Sequence, residues 1–193
     1  GLQIDSYSIK YFIKNKMKNT RRTFIKKSTF GIAGIAIGGM GMSASSYGKI
    51  IGANDRVKVG ILGFSNRFKQ SLGKAFLKYA DEMNFELSTV CDLWNRRRDD
   101  GQSWYKENTG GNIATARNTE DLWEQKPDAV ILSTADFQHA LLLAEAVNAG
   151  CDVYCEKPFA ETMDDANAGL KAAKSTGKVI QIGSQRRSGP NYH

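Results

Sequence analysis

Short apolar runs alternate with helix-like segments from Arg56 to the end of the chain. Five runs rich in Val, Ile and Leu predict β-strands at residues 57–62, 85–90, 129–133, 152–155 and 179–183. Spacings typical of helices predict them at residues 71–79, 95–106, 119–125, 138–149 and from Thr162, which forms a capping box with Asp165, up to Gly177. Apolar strands joined by helices are typical of a parallel sheet that is covered on both faces. The pattern therefore predicts an α/β fold with a doubly wound, Rossmann-like sheet.

The turn after the first strand lies where such a sheet binds dinucleotides. The fingerprint of these turns is G-x-G-x-x-G, but only Gly63 is present, and Ser65 and Phe68 occupy the other glycine positions. Gly63 still permits the tight turn, the Ser65 hydroxyl can bond a phosphate oxygen, and a helix N-terminus attracts anions. We predict that the turn residues contact the cofactor: Gly63, Phe64, Ser65, Asn66 and Arg67. Phe68 is expected to hold the helix further from the strand, because the third glycine normally permits close packing.

An acidic residue, Asp92, follows the second strand. It lies 24 residues beyond Phe68, where a carboxylate bonds the ribose hydroxyls of adenosine. The alternative is an exposed aspartate that caps the next helix. Arg96, Arg97 and Arg98 come next and either receive the extra phosphate of NADP or form a solvated helix face. Because Asp92 would repel that phosphate, the sequence favours NAD, with NADP as the alternative.

The net charge of +7 is concentrated at the start of the chain. Residues 1–50 contain nine lysines and arginines and one acid, so the remainder carries a net charge of −1. A basic face on the folded domain is not indicated, which argues against nucleic-acid binding. The three cysteines, Cys91, Cys151 and Cys155, have the spacing of neither a disulfide framework nor a zinc site. We therefore predict no metal site, and we expect Cys91 and Cys155 to be small buried hydrophobes.

The first 50 residues have the pattern of an export leader. Arg21 and Arg22 precede Phe24, and an apolar stretch of 13 residues follows from Phe30 to Met42, five of them glycine. This stretch is too short for a membrane-spanning helix, which needs about 20 apolar residues, but it suits a signal peptide. The paired arginines resemble a twin-arginine signal, with an amphipathic basic helix as the alternative. We expect residues 1–50 to be a leader read by the twin-arginine export machinery, residues 51–193 to be one dinucleotide-binding domain, and the protein to be periplasmic.

Four segments resemble the glucose–fructose oxidoreductase, inositol dehydrogenase and rhizopine catabolism (Gfo/Idh/MocA) family. They are the leader and the segments VCDLWNRRRDDG from Val90, STADFQHALLLAEAVNAGCDVYCEKP from Ser133 and IQIGSQRR from Ile180. The resemblance covers about residues 55–193. Departures from the family pattern are Ser65 and Phe68 in the glycine turn and Ala135, where the family often has proline.

This resemblance implies roles for residues beyond the glycine turn. Lys157 matches the active-site lysine of the family, between nicotinamide and substrate, and burial could lower its pKa for proton transfer. Glu156 would lie near the nicotinamide ribose, and His139 matches a position near the cofactor. Thr134 and Gln185, at the ends of other strands, complete the predicted cofactor contacts. Taken without the family, Glu156 and Lys157 are an ordinary charged pair at a strand end, and His139 is a helix residue with a satisfied hydrogen bond.

The resemblance also implies a second domain, which supplies the substrate surface, another acid or base and usually the interface of a homo-oligomer. We expect that domain to be absent from this chain and this fragment to be inactive alone. The leading hypothesis is an oxidoreductase that moves hydride between NAD and a sugar or polyol. The alternatives are a glycosidase that oxidises its sugar transiently with NAD, and a non-catalytic binding protein, for which the incomplete glycine turn is the only support.

Overall fold

The computed structural model describes residues 56–184, which form a six-stranded sheet flanked by helices. Its strands are β1 (Val57–Leu62), β2 (Phe85–Cys91), β3 (Ala114–Ala116), β4 (Ala129–Leu132), β5 (Asp152–Cys155) and β6 (Ile180–Ile182). All neighbouring strands are parallel, in the order β3-β2-β1-β4-β5-β6. This is the strand order of a dinucleotide-binding Rossmann sheet, so the predicted fold class is confirmed. The predicted leader and Gln185 lie outside the described residues.

Five α-helices connect the strands. They are α1 (Gly73–Tyr79), α2 (Asn95–Thr109), α3 (Thr119–Glu124), α4 (His139–Asn148) and α5 (Met163–Thr176). A π-helical turn, Phe68–Leu72, leads into α1, and a 3-10 turn, Asp136–Gln138, leads into α4. The N-cap half of the predicted capping box is confirmed, because the Thr162 hydroxyl oxygen accepts the Asp165 N–H at 3.1 Å. The Asp165 carboxylate accepts from the Thr162 hydroxyl at 2.7 Å. None of these helices is long and apolar enough to span a membrane.

Alternate residues of the central strands face opposite sides of the sheet, and each side has its own core. On β4, Ala129 and Ile131 belong to one apolar cluster, whereas Val130 and Leu132 belong to the other. The first cluster includes the aromatic residues of α1 and α2, and the second includes Leu143 and other apolar residues of α4. Helices therefore cover both faces, as the apolar strands predict.

One detail of the fold differs from the sequence prediction. The strand β3 was missed because it is only three residues long and its first two residues are exposed, which leaves no apolar run to recognise. Phe68 is fully buried, and a Cβ atom placed on Gly73 would lie 2.8 Å from its ring and 2.6 Å from that of Trp104. Gly73 therefore permits a close approach of α1 to the aromatic ring of α2, and a greater distance between the Phe68 helix and the strand stays a prediction.

Candidate cofactor site

A cavity of about 610 Å³ opens at the carboxyl ends of β1, β2 and β4. It lies where the strand order reverses between β1 and β4, the usual place for a ligand in this architecture. Its volume is typical of small-molecule sites. Five of the predicted cofactor contacts line it: Gly63, Phe64, Ser65, Asp92 and Thr134.

Gly63 is held tightly between two strands. Its N–H donates to the Cys91 carbonyl at 2.8 Å, and its own carbonyl accepts the Ser133 hydroxyl at 2.7 Å. Its φ of +87° favours glycine, and a Cβ atom here would lie 2.7 Å from Thr134 Cγ2 and 2.9 Å from the Thr134 backbone. Glycine is therefore required at this position both for its backbone conformation and for space.

The Asp92 carboxylate links the glycine turn to the start of α2. Its Oδ2 accepts the N–H of Phe64 at 3.0 Å, and its Oδ1 accepts the N–H of Trp94 at 2.9 Å. Asp92 is not the N-cap of α2, because that position belongs to Trp94. Each carboxylate oxygen has a second lone pair, and Asp92 lines the cavity, so it remains able to accept ribose hydroxyls.

The remaining side chains of the turn have protein partners. The Ser65 hydroxyl accepts the Phe68 N–H at 3.1 Å, and Asn66 Oδ1 accepts from Arg97 at 2.9 Å. Arg67 extends away to Glu156, and Asn66 and Arg67 do not line the cavity.

Phe64 lies in the wall of the cavity and is completely buried. The ring lies 5.5 Å from that of Phe68 and 5.9 Å from that of Trp104, measured between centroids. A Cβ atom on Gly101 of α2 would be 3.3 Å from the Phe64 ring, so α2 approaches the turn closely at a glycine. The site backbone is thus supported from beneath by an aromatic cluster.

The arginines that follow β2 are largely engaged by the protein. Arg97 pairs with Asn66 and lies 3.8 Å from Asp100, and Arg98 donates to the Asp92 carbonyl at 2.6 Å. Arg96 stacks on the exposed Trp94 ring, 5.3 Å from its centroid. Two of the three cations therefore hold the rim, and one of them, Arg97, also lines the cavity.

A second cluster surrounds Lys157, outside the residues that line the cavity. Glu156 is buried and its Oε1 accepts from Arg67 Nε at 3.2 Å. Lys157 is exposed, so the burial expected for this lysine is not found in the domain. The peptide between Lys157 and Pro158 is cis. His139 Nδ1 lies 2.6 Å from the Pro158 carbonyl oxygen. A carbonyl only accepts, so Nδ1 carries the proton in this contact.

Two buried polar atoms of the described residues have no hydrogen-bond partner: Thr134 Oγ1 and His139 Nε2. Leaving such an atom unsatisfied costs about 1–3 kcal/mol, so it usually has a ligand or water. Thr134 lines the cavity, and His139 begins α4 beside the Lys157 segment. A glycine cradle, a carboxylate at the end of β2 and unsatisfied polar atoms suit a dinucleotide, so the residues present fit NAD.

Sequence reasoning missed several residues of the cavity wall. Ser133 fixes the Gly63 carbonyl, but a serine at a strand end carries no distinctive signal. Arg117, Asn118 and Thr119 line the cavity between β3 and the start of α3, and no role was predicted for them. Trp94 and Ser133 lie in segments that resemble the family, but the resemblance gave neither of them a role.

The cysteines are structural. Cys91, Cys151 and Cys155 are all buried, as expected for Cys91 and Cys155. Burial, reinforced by the charge of Asp92, raises the pKa of Cys91 to about 12. Burial and then the charge of Glu156 raise the pKa of Cys155 to about 12. Residues 56–184 contain no group of three His, Cys, Asp or Glu placed to hold a metal ion.

Comparison with known proteins places this site in a family context. The inositol 2-dehydrogenase of Rubrobacter xylanophilus is 27% identical over 147 residues, which cover 73% of this chain and 39% of that enzyme. The 4-carboxy-2-hydroxymuconate-6-semialdehyde dehydrogenase of a Sphingobium species is 38% identical over 74 residues, covering 38% of this chain and 24% of that enzyme. The chain therefore spans about two fifths or less of these relatives.

The solved structures include the WlbA dehydrogenase of Chromobacterium violaceum in complex with NADH and UDP-GlcNAcA. It aligns with a TM-score of 0.62 at 26% identity, over 72% of this chain and 38% of that one. The model of the Gfo/Idh/MocA family, described as an oxidoreductase family with an NAD-binding Rossmann fold, matches residues 57–184. With the Rossmann strand order and the glycine turn both present, the chain belongs to the Gfo/Idh/MocA family of oxidoreductases and contains its NAD-binding domain.

Proposed function

We propose that the whole protein is an NAD-dependent oxidoreductase that acts on a sugar or polyol. The observation that carries this proposal is the Gly63 turn, which is closed against Thr134, is hydrogen-bonded to Asp92 and lines the same cavity as both residues. Its relatives include inositol dehydrogenases and a dehydrogenase solved with a sugar nucleotide, which supports a substrate rich in hydroxyl groups.

The described residues divide the work between binding and proton handling. NAD, when bound, supplies the hydride acceptor. The Gly63 turn offers its backbone to the pyrophosphate, and Asp92 accepts hydrogen bonds from ribose hydroxyls. The Lys157 ammonium is exposed, so it is free to bond the reacting hydroxyl and to take part in moving its proton. Thr134 Oγ1 and His139 Nε2 provide further polar contacts at buried positions.

Two measurements on the full-length protein test this proposal. Calorimetric titration with NAD and NADP should show that NAD binds more tightly, and no binding of either would eliminate an enzyme that uses these cofactors. Incubation with a panel of sugars, polyols and glycosides, without added cofactor, then identifies the reaction. Net NADH formation supports a dehydrogenase. Release of free sugar without net NADH would instead identify a glycosidase that regenerates its cofactor.

We further propose that the protein is exported folded, with its cofactor bound, through the twin-arginine route. The support is the sequence around Arg21 and Arg22, together with the physical advantage of binding NAD before leaving the compartment that contains it. Replacing both arginines with lysine should leave the protein in the cytoplasm with its leader attached. The mature wild type should retain NAD(H) through purification. Unchanged export of the double variant, or a periplasmic protein that purifies empty, would contradict this proposal.

A further inference from the structure

The segment that contains Lys157 is attached to the rest of the domain on both sides of that lysine. On one side, the Glu156 carboxylate accepts from Arg67 at 3.2 Å. On the other side, the Pro158 carbonyl lies 2.6 Å from His139 Nδ1. Within residues 56–184, the Lys157 side chain itself has no hydrogen bond or ion pair. Its position is therefore determined by its neighbours.

Arg67 connects this segment to the dinucleotide turn. It is the last residue before the π-helical turn that starts at Phe68, and it follows Gly63 by only four residues. Its guanidinium uses two edges: Nε donates to Glu156, and Nη1 donates to the Ser71 hydroxyl at 2.9 Å. The Glu156 side chain is 5% exposed and that of Arg67 is 24% exposed, so solvent screens their pairing only weakly.

This geometry separates Arg67 from the cofactor contacts with which the sequence groups it. Gly63, Phe64 and Ser65 line the cavity, but Arg67 does not. Lysine would be a poor replacement, because only the planar guanidinium can donate to Glu156 and Ser71 in a fixed fork.

We infer that Arg67 is a positioning residue, which acts through Glu156 to fix Lys157 relative to the dinucleotide turn. The relevance of this link to turnover rests on the proposed function, whereas the link itself does not. A cofactor that orders the turn would also order the Lys157 segment through the Arg67–Glu156 pair. Without Arg67, Glu156 would keep a buried charge with no cation beside it, and the segment shifts.

Lysine acetylation measured by mass spectrometry tests this inference without a known substrate. The full-length wild type and its Arg67→Met and Arg67→Lys variants are treated with a limiting amine-acetylating reagent, with and without saturating NADH. Modification of Lys157 is normalised to that of Lys174, an exposed lysine on α5. Calorimetry sets the saturating NADH concentration for each variant. Arg56→Met is the matched control, because Arg56 pairs with Asp81 in an exposed position outside the site.

In the wild type and in Arg56→Met, we expect bound NADH to slow Lys157 acetylation by at least about tenfold, because the anchored segment keeps the exposed lysine against the cofactor. In Arg67→Met, NADH still binds, but the protection falls to about twofold or less, and Arg67→Lys restores part of it. Wild-type protection in Arg67→Met with NADH bound would overturn the inference.

Two further measurements keep the test decisive. If Arg67→Met does not fold, Glu156→Gln removes the same charge pairing and should lose the same protection; retained protection there would overturn the inference. If the wild type binds no NADH, the proposed function fails, but acetylation without cofactor still tests Arg67. The inference then requires faster Lys157 acetylation in Arg67→Met than in the wild type and Arg56→Met, and equal rates refute it.

Discussion

Replacing Gly63 with alanine should damage stability and cofactor binding together. The backbone at Gly63 has a φ of +87°, and a side chain in that region costs about 1–2 kcal/mol. The new Cβ atom would also lie 2.9 Å from the Thr134 N and Cα atoms. These are backbone atoms of the segment that follows β4, so they cannot rotate away, and relieving such overpacking costs about another 1–3 kcal/mol. We therefore expect Gly63→Ala to lower the free energy of unfolding by about 2–5 kcal/mol.

The Gly110→Ala variant separates the conformational cost from the cost of overpacking. Gly110 has a similar φ, +74°, but no atom lies within 4 Å of the position of its Cβ. This variant should therefore show only the conformational cost, about 1–2 kcal/mol. The stability of both variants is measured in the full-length protein by urea unfolding, which is monitored through hydrogen exchange in peptides that cover β1 and β4. Calorimetry should show that Gly63→Ala also weakens NAD binding at least about tenfold, equivalent to 1.4 kcal/mol. Equal stability losses in the two variants, or wild-type NAD affinity in Gly63→Ala, would refute the reasoning.

Three further predictions concern the acid, the aromatic cluster and the thiols. Asp92→Ala should weaken NAD binding by about 1–3 kcal/mol in calorimetry, the scale of hydrogen bonds to a charged group; tighter binding of NADP than NAD by the wild type would show that the role of Asp92 is misassigned. Gly73→Ala should lower the urea midpoint, with a loss of about 1–3 kcal/mol from contact with two aromatic rings, and an unchanged midpoint would contradict that packing. Cys91 and Cys155, each with a pKa of about 12, should resist iodoacetamide at pH 8 until the protein unfolds. Because their unfolded pKa is about 8.5, unfolded thiols lose protons first, so stability should fall as the pH rises from about 9 towards 12.

The hydrophobic pattern predicted most of the sheet because five of its strands are apolar runs bounded by glycine or polar residues. The helix starting after Thr162 was also readable, since capping boxes depend on residue types at fixed spacing. The three-residue strand β3 was not readable, because its backbone pairs with β2 without an apolar face of its own. The strand β3 can be identified only from its pairing with β2 in the structure.

The glycine turn and the carboxylate of the site were predictable from the sequence. The hydrogen-bond partners of the residues next to the turn were not. Gly63 and Asp92 can be identified from the sequence because each follows a strand, and both line the cavity. Arg67 and Glu156 are 89 residues apart, and their pairing depends on which way each side chain points. Spacing along the chain contains no information about that direction, so the two clusters of the site could not be distinguished from sequence.

The aromatic cluster beneath the turn makes the effect of one substitution depend on another. Phe68 stands where the fingerprint has glycine, and its ring lies 5.6 Å from that of Trp104, close to Gly73. Phe68→Gly would restore only the third glycine of the fingerprint, since Ser65 remains, and it would leave a void beside Trp104 at a cost of about 3–5 kcal/mol. A larger residue at position 73 would fill part of that void, because its Cβ atom faces the place of the Phe68 ring. The two positions are therefore epistatic, and alanine at position 73 should cost less stability when position 68 is glycine than when it is phenylalanine.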